Sequence, residues 1–436
     1  MDVNIAEILI EENTDRLSII SIHSGEVSIF HCQFNLSHLT TFTNTVVPAI
    51  YCENSTLHIS NVNIVGNKEF LTVGLLVYNC DINLMDCNIQ DHRCGGFLSK
   101  INEENQILIN KCIFTNNSGI ALYIKGNGLK IHLEDNNFKK NSGVGVKIID
   151  STNLSIIGNM FKFNLLNGAD LINCDGLIML NTFKNNKGCG LLLESQNDGI
   201  FSAKIFKNLL ENNYLSGILI KGENNSAKIY QNKKICKNYL NGIHVSEKAT
   251  PKIFDNIIDS NLNHGILINS GSSAIVEKNI IFENQKSNVA FGGKLSEKTV
   301  ISCNKIYGSK NEGIYVCQSS GGTIRKNEIH SNNDGIVISN CISLDVSENN
   351  IYGNIRCGIL ISSKSNPTLI KNNIHDNDFI GLFIRDESTG EYLNNEIKKN
   401  VSQLYLSNNC TKMYKQIKAE NIIEGRVDIT KSCTIF

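Results

Sequence analysis

The chain has 436 residues, 41% of them hydrophobic, and a formal charge of −1. That apolar share can supply a long core, and the near-zero charge excludes a nucleic-acid binder that works through a net positive field. Fifteen cysteines would suggest a disulfide framework in a short secreted chain, but this chain is long and several cysteines sit at repeat positions.

Met1–Ile10 lacks the basic start and long apolar run of a signal peptide, which predicts reduced thiols and a cytoplasmic location. No apolar run reaches the ~18 residues of a membrane span. Residues 1–50 read as a β-rich cap or first irregular coils, with strand-like segments at Leu17–Ile22 and Val27–Phe30.

A repeat fills residues 51–400. Gly74, Gly96 and Gly119 are early members, and a Gly-apolar-x-apolar unit then becomes clear. It appears as Gly145-Val-Lys-Ile148, Gly190-Leu-Leu-Leu193, Gly217-Ile-Leu-Ile220, Gly242-Ile-His-Val245 and Gly265-Ile-Leu-Ile268. It continues as Gly313-Ile-Tyr-Val316, Gly335-Ile-Val-Ile338, Gly358-Ile-Leu-Ile361 and Gly381-Leu-Phe-Ile384. The spacing is 23 from Gly242 to Gly265 and 22 from Gly313 to Gly335. The interval of 48 between Gly265 and Gly313 holds two coils, one degraded around Asn288-Val-Ala-Phe291.

A second column reads Asn-x-apolar, at Asn136, Asn159, Asn181, Asn208, Asn256, Asn279, Asn304, Asn327, Asn349, Asn372 and Asn395, with Cys87 and Cys112 in the early coils. Three short strands per coil follow: one before this Asn, one after it, and one opening with the Gly. Like residues then stack, and amide hydrogen bonds pass along the Asn column. The Gly suits either a collision or a positive φ. The fold predicted is all-β: a single-stranded right-handed parallel β-helix of about 15 coils of roughly 22–27 residues. At ~4.8 Å per coil it would be on the order of 70 Å long. Residues 401–436 are expected to hold a last coil, a cap and a tail.

In Gly-apolar-x-apolar the residue x points outward by strand alternation. Lys147 and Asp170 are polar there, but Leu192, Leu219, His244, Leu267, Tyr315, Val337, Leu360 and Phe383 follow, and seven of these eight are apolar. They predict a vertical apolar stripe that binds a protein. Two alternatives stay open: a terminal segment covers the stripe, or the strand phase is off by one.

The stretch Cys357-Gly-Ile-Leu-Ile-Ser-Ser-Lys-Ser-Asn-Pro-Thr-Leu-Ile-Lys-Asn-Asn-Ile-His-Asp376, with Gly321–His330 and Gly271–Asn284, resembles the repeat of the F-box/β-helix proteins. The likeness is closest over about residues 240–400, and Ser365-Asn-Pro-Thr-Leu369 is its most discriminating string. It implies a substrate-receptor role in a ubiquitin-ligase pathway, with a protein substrate or adaptor and ligase components as partners. The chain departs from the family: residues 1–50 show no Leu-Pro-rich F-box segment, and Cys410 and Cys433 have no CxxC partners for zinc.

The alternative is a carbohydrate-active β-helix, a polysaccharide lyase or hydrolase. Such chemistry needs converging carboxylates. Asp91-His92-Arg93, Asn263-His264-Gly265, His375-Asp376 and Arg385-Asp386-Glu387 are candidates, but no carboxylate column spans adjacent coils in this reading. His330 and His375 occupy matching repeat positions with Tyr307 and Tyr352 and read as turn residues. No catalytic residue, metal or cofactor is therefore assigned. The final Cys433-Thr-Ile-Phe436 fits a prenylation box, with Phe436 favouring geranylgeranyl, and this is the predicted route to a membrane.

Overall fold

The computed structural model describes residues 18–38, 45–101, 105–293, 298–319 and 321–429. Its regular structure is strand, three per coil, apart from a helical insert at Asn408–Met413 and Tyr414–Glu420. One coil runs through Lys252–Phe254, Ile257–Asp259 and Ile266–Ile268, and the next lays Val276 on Ile253, Ile281 on Ile258 and Ala290 on Leu267, all in parallel. These sheets are called first, second and third in the order the strands occur in a coil. In these short strands one central branched residue, Val276 or Ile281, faces inward while its two neighbours face out.

The corners explain the repeat. Asp255 and Ser260 have left-handed φ values of 54° and 55°, and each is followed by a buried asparagine, Asn256 and Asn261. The repeat glycine, by contrast, needs space rather than a positive φ. A Cβ on Gly265 would lie 2.5 Å from the Asn288 carbonyl and 2.7 Å from Asn284 Nδ2.

The chain divides into two compact units, Met1–Leu219 with Asn224–Lys228 and Ile220–Glu223 with Ile229–Phe436. In the first unit the coil is already formed where Ile20–Ile22 pairs with Ile50–Cys52 and Gly25–Phe30 with Ser55–Ser60. Its core carries a stack of phenylalanines, Phe114, Phe138, Phe161 and Phe183, with ring centroids 4.6–5.2 Å apart. In the second unit the same inward position is held by isoleucines such as Ile258, Ile281, Ile306, Ile329, Ile351 and Ile374. The last strands, Ser402–Leu406, Ile422–Glu424 and Val427–Ile429, continue the coil. Asn421 closes that end by donating to the carbonyls of Tyr392 and Ile417.

Two asparagine ladders thread the core. Asn159 shows the pattern: its backbone N–H and its Nδ2 both donate to Asn181 Oδ1, and Nδ2 also reaches the carbonyls of Leu133 and Ile157. A buried amide left unpaired would cost about 1–3 kcal/mol, so a closed ladder is what makes the polar column tolerable. The second ladder runs through Asn117, Asn141, Asn164 and Asn186 in the first unit, and through Asn332, Asn354, Asn377 and Asn400 in the second.

The degraded coil is a repair of this second ladder. Ser309 stands where an asparagine belongs, and Asn288 stands where the repeat glycine belongs. Asn288 Oδ1 accepts from Asn284 Nδ2 at 2.8 Å, and Asn288 Nδ2 donates to Asn332 Oδ1 at 3.1 Å. The missing amide is thus supplied from the glycine position, which is free because no asparagine side chain fills it from Ser309. Gln403, also at a glycine position, uses the same device to cap Asn400.

Candidate ligand-binding face

The outward residues of the third sheet stack in register in each unit. In the first unit the column is Tyr51, Leu76, Leu98, Tyr123, Lys147, Asp170 and Leu192. In the second it is His244, Leu267, Ala290, Tyr315, Val337, Leu360, Phe383 and Tyr405. The strand phase follows the alternation, since Ile336, Ile338, Ile359 and Ile361 face inward and are fully buried.

The exposure of this column is uneven. Leu192, Leu219, His244, Leu267 and Tyr315 are half-buried. Val337, Leu360 and Phe383 are only 7%, 5% and 4% exposed, because Cys357, Ile380 and Tyr405 pack against them on the same outer face. The stripe expected to be open is therefore largely closed by its own neighbours over those three coils. Val427–Ile429 adds a strand beside Leu404–Leu406 rather than lying over the stripe.

The degraded coil leaves this face open. Between Leu267 and Tyr315 the column holds only Ala290, and Gly292 and Gly293 follow where other coils carry side chains. Gly292 is required by close approach, since its Cβ would fall 1.9 Å from the Cys317 carbonyl. The result is a hollow of about 380 Å³. Leu267, Ala290 and Phe291 supply apolar surface, while His264, Asn269 and Gln318 add polar side chains.

One imidazole, His264, lines this hollow, and a second, His244, stands beside Leu267 on the adjacent coil. His244 Nε2 lies 3.2 Å from Asn269 Oδ1, and burial pushes its pKa down. Burial, followed by the charges of Lys286 and His244, pushes His264 down to about 4, and its buried Nδ1 has no hydrogen-bond partner. Both rings are thus neutral near pH 7. Tyr315 is pushed up to about 12 by its contact with Cys317 and by burial, so it stays a phenol.

The strand of Tyr315 and the one after it carry a pair of carboxylates that the repeat reading missed. Glu312 and Asp334 are in register on adjacent coils, each immediately before a repeat glycine. The signal is in the sequence, one position upstream of the repeat glycine. Neither carboxylate is free: Ser287 Oγ donates to Glu312 Oε2 at 2.6 Å, and Asp334 Oδ1 accepts from the Cys357 N–H with Arg356 3.8 Å away.

The other candidates disperse. His92 is fully buried in the first unit, while Asp91 pairs with Lys68 and Arg93 donates to the Glu69 carbonyl. Asp386 and Glu387 turn the chain with left-handed φ, pairing with Arg385 and Lys364. His330 and His375 belong to an outward stack on the second sheet, Phe282–Tyr307–His330–Tyr352–His375, with centroids 5.0–5.2 Å apart. Their ring faces cover one another, so the stack presents edges to solvent rather than a platform. Among the described residues, no cluster of three His, Cys, Asp or Glu side chains could hold a metal ion. Cys433 lies outside the described residues.

Parallel coils, three sheets and internal asparagine ladders define a β-helix. The right-handed β-helix family model matches residues 48–202, 173–295 and 293–421, and the chain belongs to that family. It is a single-stranded right-handed parallel β-solenoid of about 16 turns. No curated protein matches the chain in sequence. Among solved structures it is similar to the periplasmic alginate epimerase AlgG, at 14% identity over 76% of each chain, with a TM-score of 0.39. The A-module of the Azotobacter vinelandii mannuronan C-5 epimerase AlgE4 is 13% identical over 82% of this chain and 89% of its own, with a TM-score of 0.38. PfbA, a surface adhesin of Streptococcus pneumoniae, is 14% identical over 80% of this chain and 85% of its own, with a TM-score of 0.20. At these values the likeness carries no argument about activity.

Proposed function

We propose that the protein is a non-catalytic recognition β-helix whose second unit receives an apolar side chain of a protein partner in the hollow beside Ala290. The observation that carries this reading is the opening itself: a mostly apolar recess with His264, Asn269 and Gln318 beside it, on a face that packing closes from Val337 to Phe383. Such a recess fits an anchor residue surrounded by polar contacts. The half-buried Leu267, His244 and Tyr315 extend that surface. The repeat resemblance of Cys357–Asp376 makes a substrate or adaptor in a ubiquitin-ligase pathway the partner class, with any F-box contributed by another chain. A cytosolic setting and a prenyl group on Cys433 belong to the same reading.

A carbohydrate-active reading has one observation in its favour, the register of Glu312 and Asp334 beside Tyr315. Against it, both carboxylates are engaged by protein donors rather than aimed together at open space.

Ala290→Phe tests the main reading, because the new ring fills the hollow without touching the inward core. Expected is the loss of specific, identified protein partners from affinity capture, with the melting temperature unchanged. Unchanged partners would sink the proposal. Turnover of a polyuronate by the wild type, abolished in Glu312→Gln and Asp334→Asn, would establish the carbohydrate reading in its place.

A further inference from the structure

The first unit carries a second surface, at the corner between its second and third sheets. Each coil there supplies a turn residue, a buried ladder asparagine and then two outward positions. The first of these stacks coil on coil as Leu165, Lys187 and Tyr214, whose N–H groups donate to the carbonyls of Asn141, Asn164 and Asn186. The second stacks as Leu166, Gly188 and Leu215. Coil geometry does not require apolar residues here, since Ser118 and Ser142 fill the equivalent place in the two preceding coils. Yet Leu165 is 54% exposed and Phe163 50%, with Leu166, Tyr214 and Leu215 each above 40%. Phe163 also sits at φ 59°, a backbone region that a bulky side chain adopts at a cost, where the adjoining coils carry Lys140 and Asn185. Exposed apolar groups gathered this closely mark an interaction site.

Charge identifies the occupant. Lys139, Lys162 and Lys184 stack in register on the second sheet, just before this corner. Only Lys184 is answered, by Glu211 at 2.7 Å; among the described residues Lys139, Lys140 and Lys162 have no ion pair. Lys187 stands 3.5 Å above the Tyr214 ring. Stacked like charges are unfavourable unless an anion meets them. We propose that this corner seats the first unit on an anionic lipid surface, with Phe163, Leu165, Leu166 and Leu215 entering the acyl boundary and the lysines meeting headgroups. A protein partner would explain both the apolar ridge and the lysine column only with a matching acidic face, and a polyanion would explain the lysines without the ridge. An anionic bilayer explains both. The inference is independent of the hollow in the second unit and of Cys433.

The test uses the full chain made in bacteria, which carries no prenyl group, floated with phosphatidylcholine vesicles with or without phosphatidylserine. Binding is expected only when phosphatidylserine is present. Leu165→Ser with Leu166→Ser, and separately Lys139→Gln with Lys162→Gln, should each weaken it roughly ten-fold or more. Melting curves verify that the variants fold, and Phe163→Asn, a residue suited to left-handed backbone, stands in if the leucine pair does not. No flotation of the wild type overturns the proposal. So does flotation that ignores the leucine changes, which would leave only a polyanion surface. A self-dimer that the leucine changes dissociate, with vesicle binding unaltered, overturns it as well.

Discussion

The two units stack their rings in opposite places. In the first, Phe114, Phe138, Phe161 and Phe183 stack inside the second sheet and are wholly buried. In the second, isoleucines fill that inward position and the rings stand outside, from Phe282 to His375. The spacing is nearly the same in both, because it is set by the coil. Stacking is therefore a consequence of register, whereas its contribution to stability depends on whether the faces left behind would be filled by protein or by water. The largest expected effect follows: Phe138→Ala should cost about 3–5 kcal/mol, through lost transfer energy and a cavity between two neighbouring rings. Denaturant unfolding checks the size, and hydrogen exchange shows whether the loss stays in the first unit, as expected for a stack with nearest-neighbour coupling. A cost below about 1 kcal/mol would mean that the inner stack does not behave as core.

The units also differ in how they keep the second ladder closed. The first unit uses an asparagine per coil from Asn117 to Asn186, whereas the second spans Ser309 with Asn288. Asn288→Gly restores the repeat letter but removes the bridging amide, leaving Asn284 and Asn332 short of partners, for about 1–3 kcal/mol. Ser309→Asn alone should also destabilise, since its side chain would meet that of Asn288. Together the two changes rebuild a regular coil, so the double variant should be more stable than either single one. A double-mutant cycle with additive costs would refute the exchange.

At the start of the first unit's ladder stands His92, whose N–H donates to Asn117 Oδ1 while its ring is wholly buried. Burial pushes its pKa down to about 3. Unfolded, the ring takes a proton near pH 6.5, so the unfolded state binds more protons below that pH. Stability is accordingly full above about pH 6.5 and lost as pH falls toward 3, by roughly 2 kcal/mol at pH 5. His92→Asn supplies the side chain that the next ladder positions use and should flatten this dependence. An unchanged pH profile in urea unfolding would show that His92 is protonated without cost.

Much of this was legible in the sequence. The Gly-apolar-x-apolar and Asn-x-apolar columns specify coil, sheets and strand phase, because identical residues must stack on themselves. The second ladder was equally written there, five residues after the first, in Asn159 and Asn164 or Asn279 and Asn284. It is harder to read because it falls inside a corner rather than on a strand. Exposure was not legible. Leu360 and Phe383 point outward as the alternation requires, yet they are covered by Cys357 and Ile380, which lie off the column, and by Tyr405, which continues it beyond the last repeat glycine. The hollow was visible only as a defect, since an opening depends on what Ala290 and Gly292 lack relative to Leu267 and Tyr315.

The smallest effect gives the sharpest contrast with the first unit. Tyr352 lies between His330 and His375 on the outer face, and its hydroxyl donates to Glu328 at 2.7 Å. Removing it with Tyr352→Ala exposes two ring faces to water instead of opening a cavity, so the cost should be about 0.5–1.5 kcal/mol, several-fold less than Phe138→Ala. Tyr352→Phe keeps the stack and loses only the hydroxyl, and should stay near wild type because Glu328 remains beside water and Lys305. If Tyr352→Ala proved as damaging as Phe138→Ala, the outer rings would be structural in the same sense as the inner ones. The distinction between a buried and a solvent-facing stack would then fail.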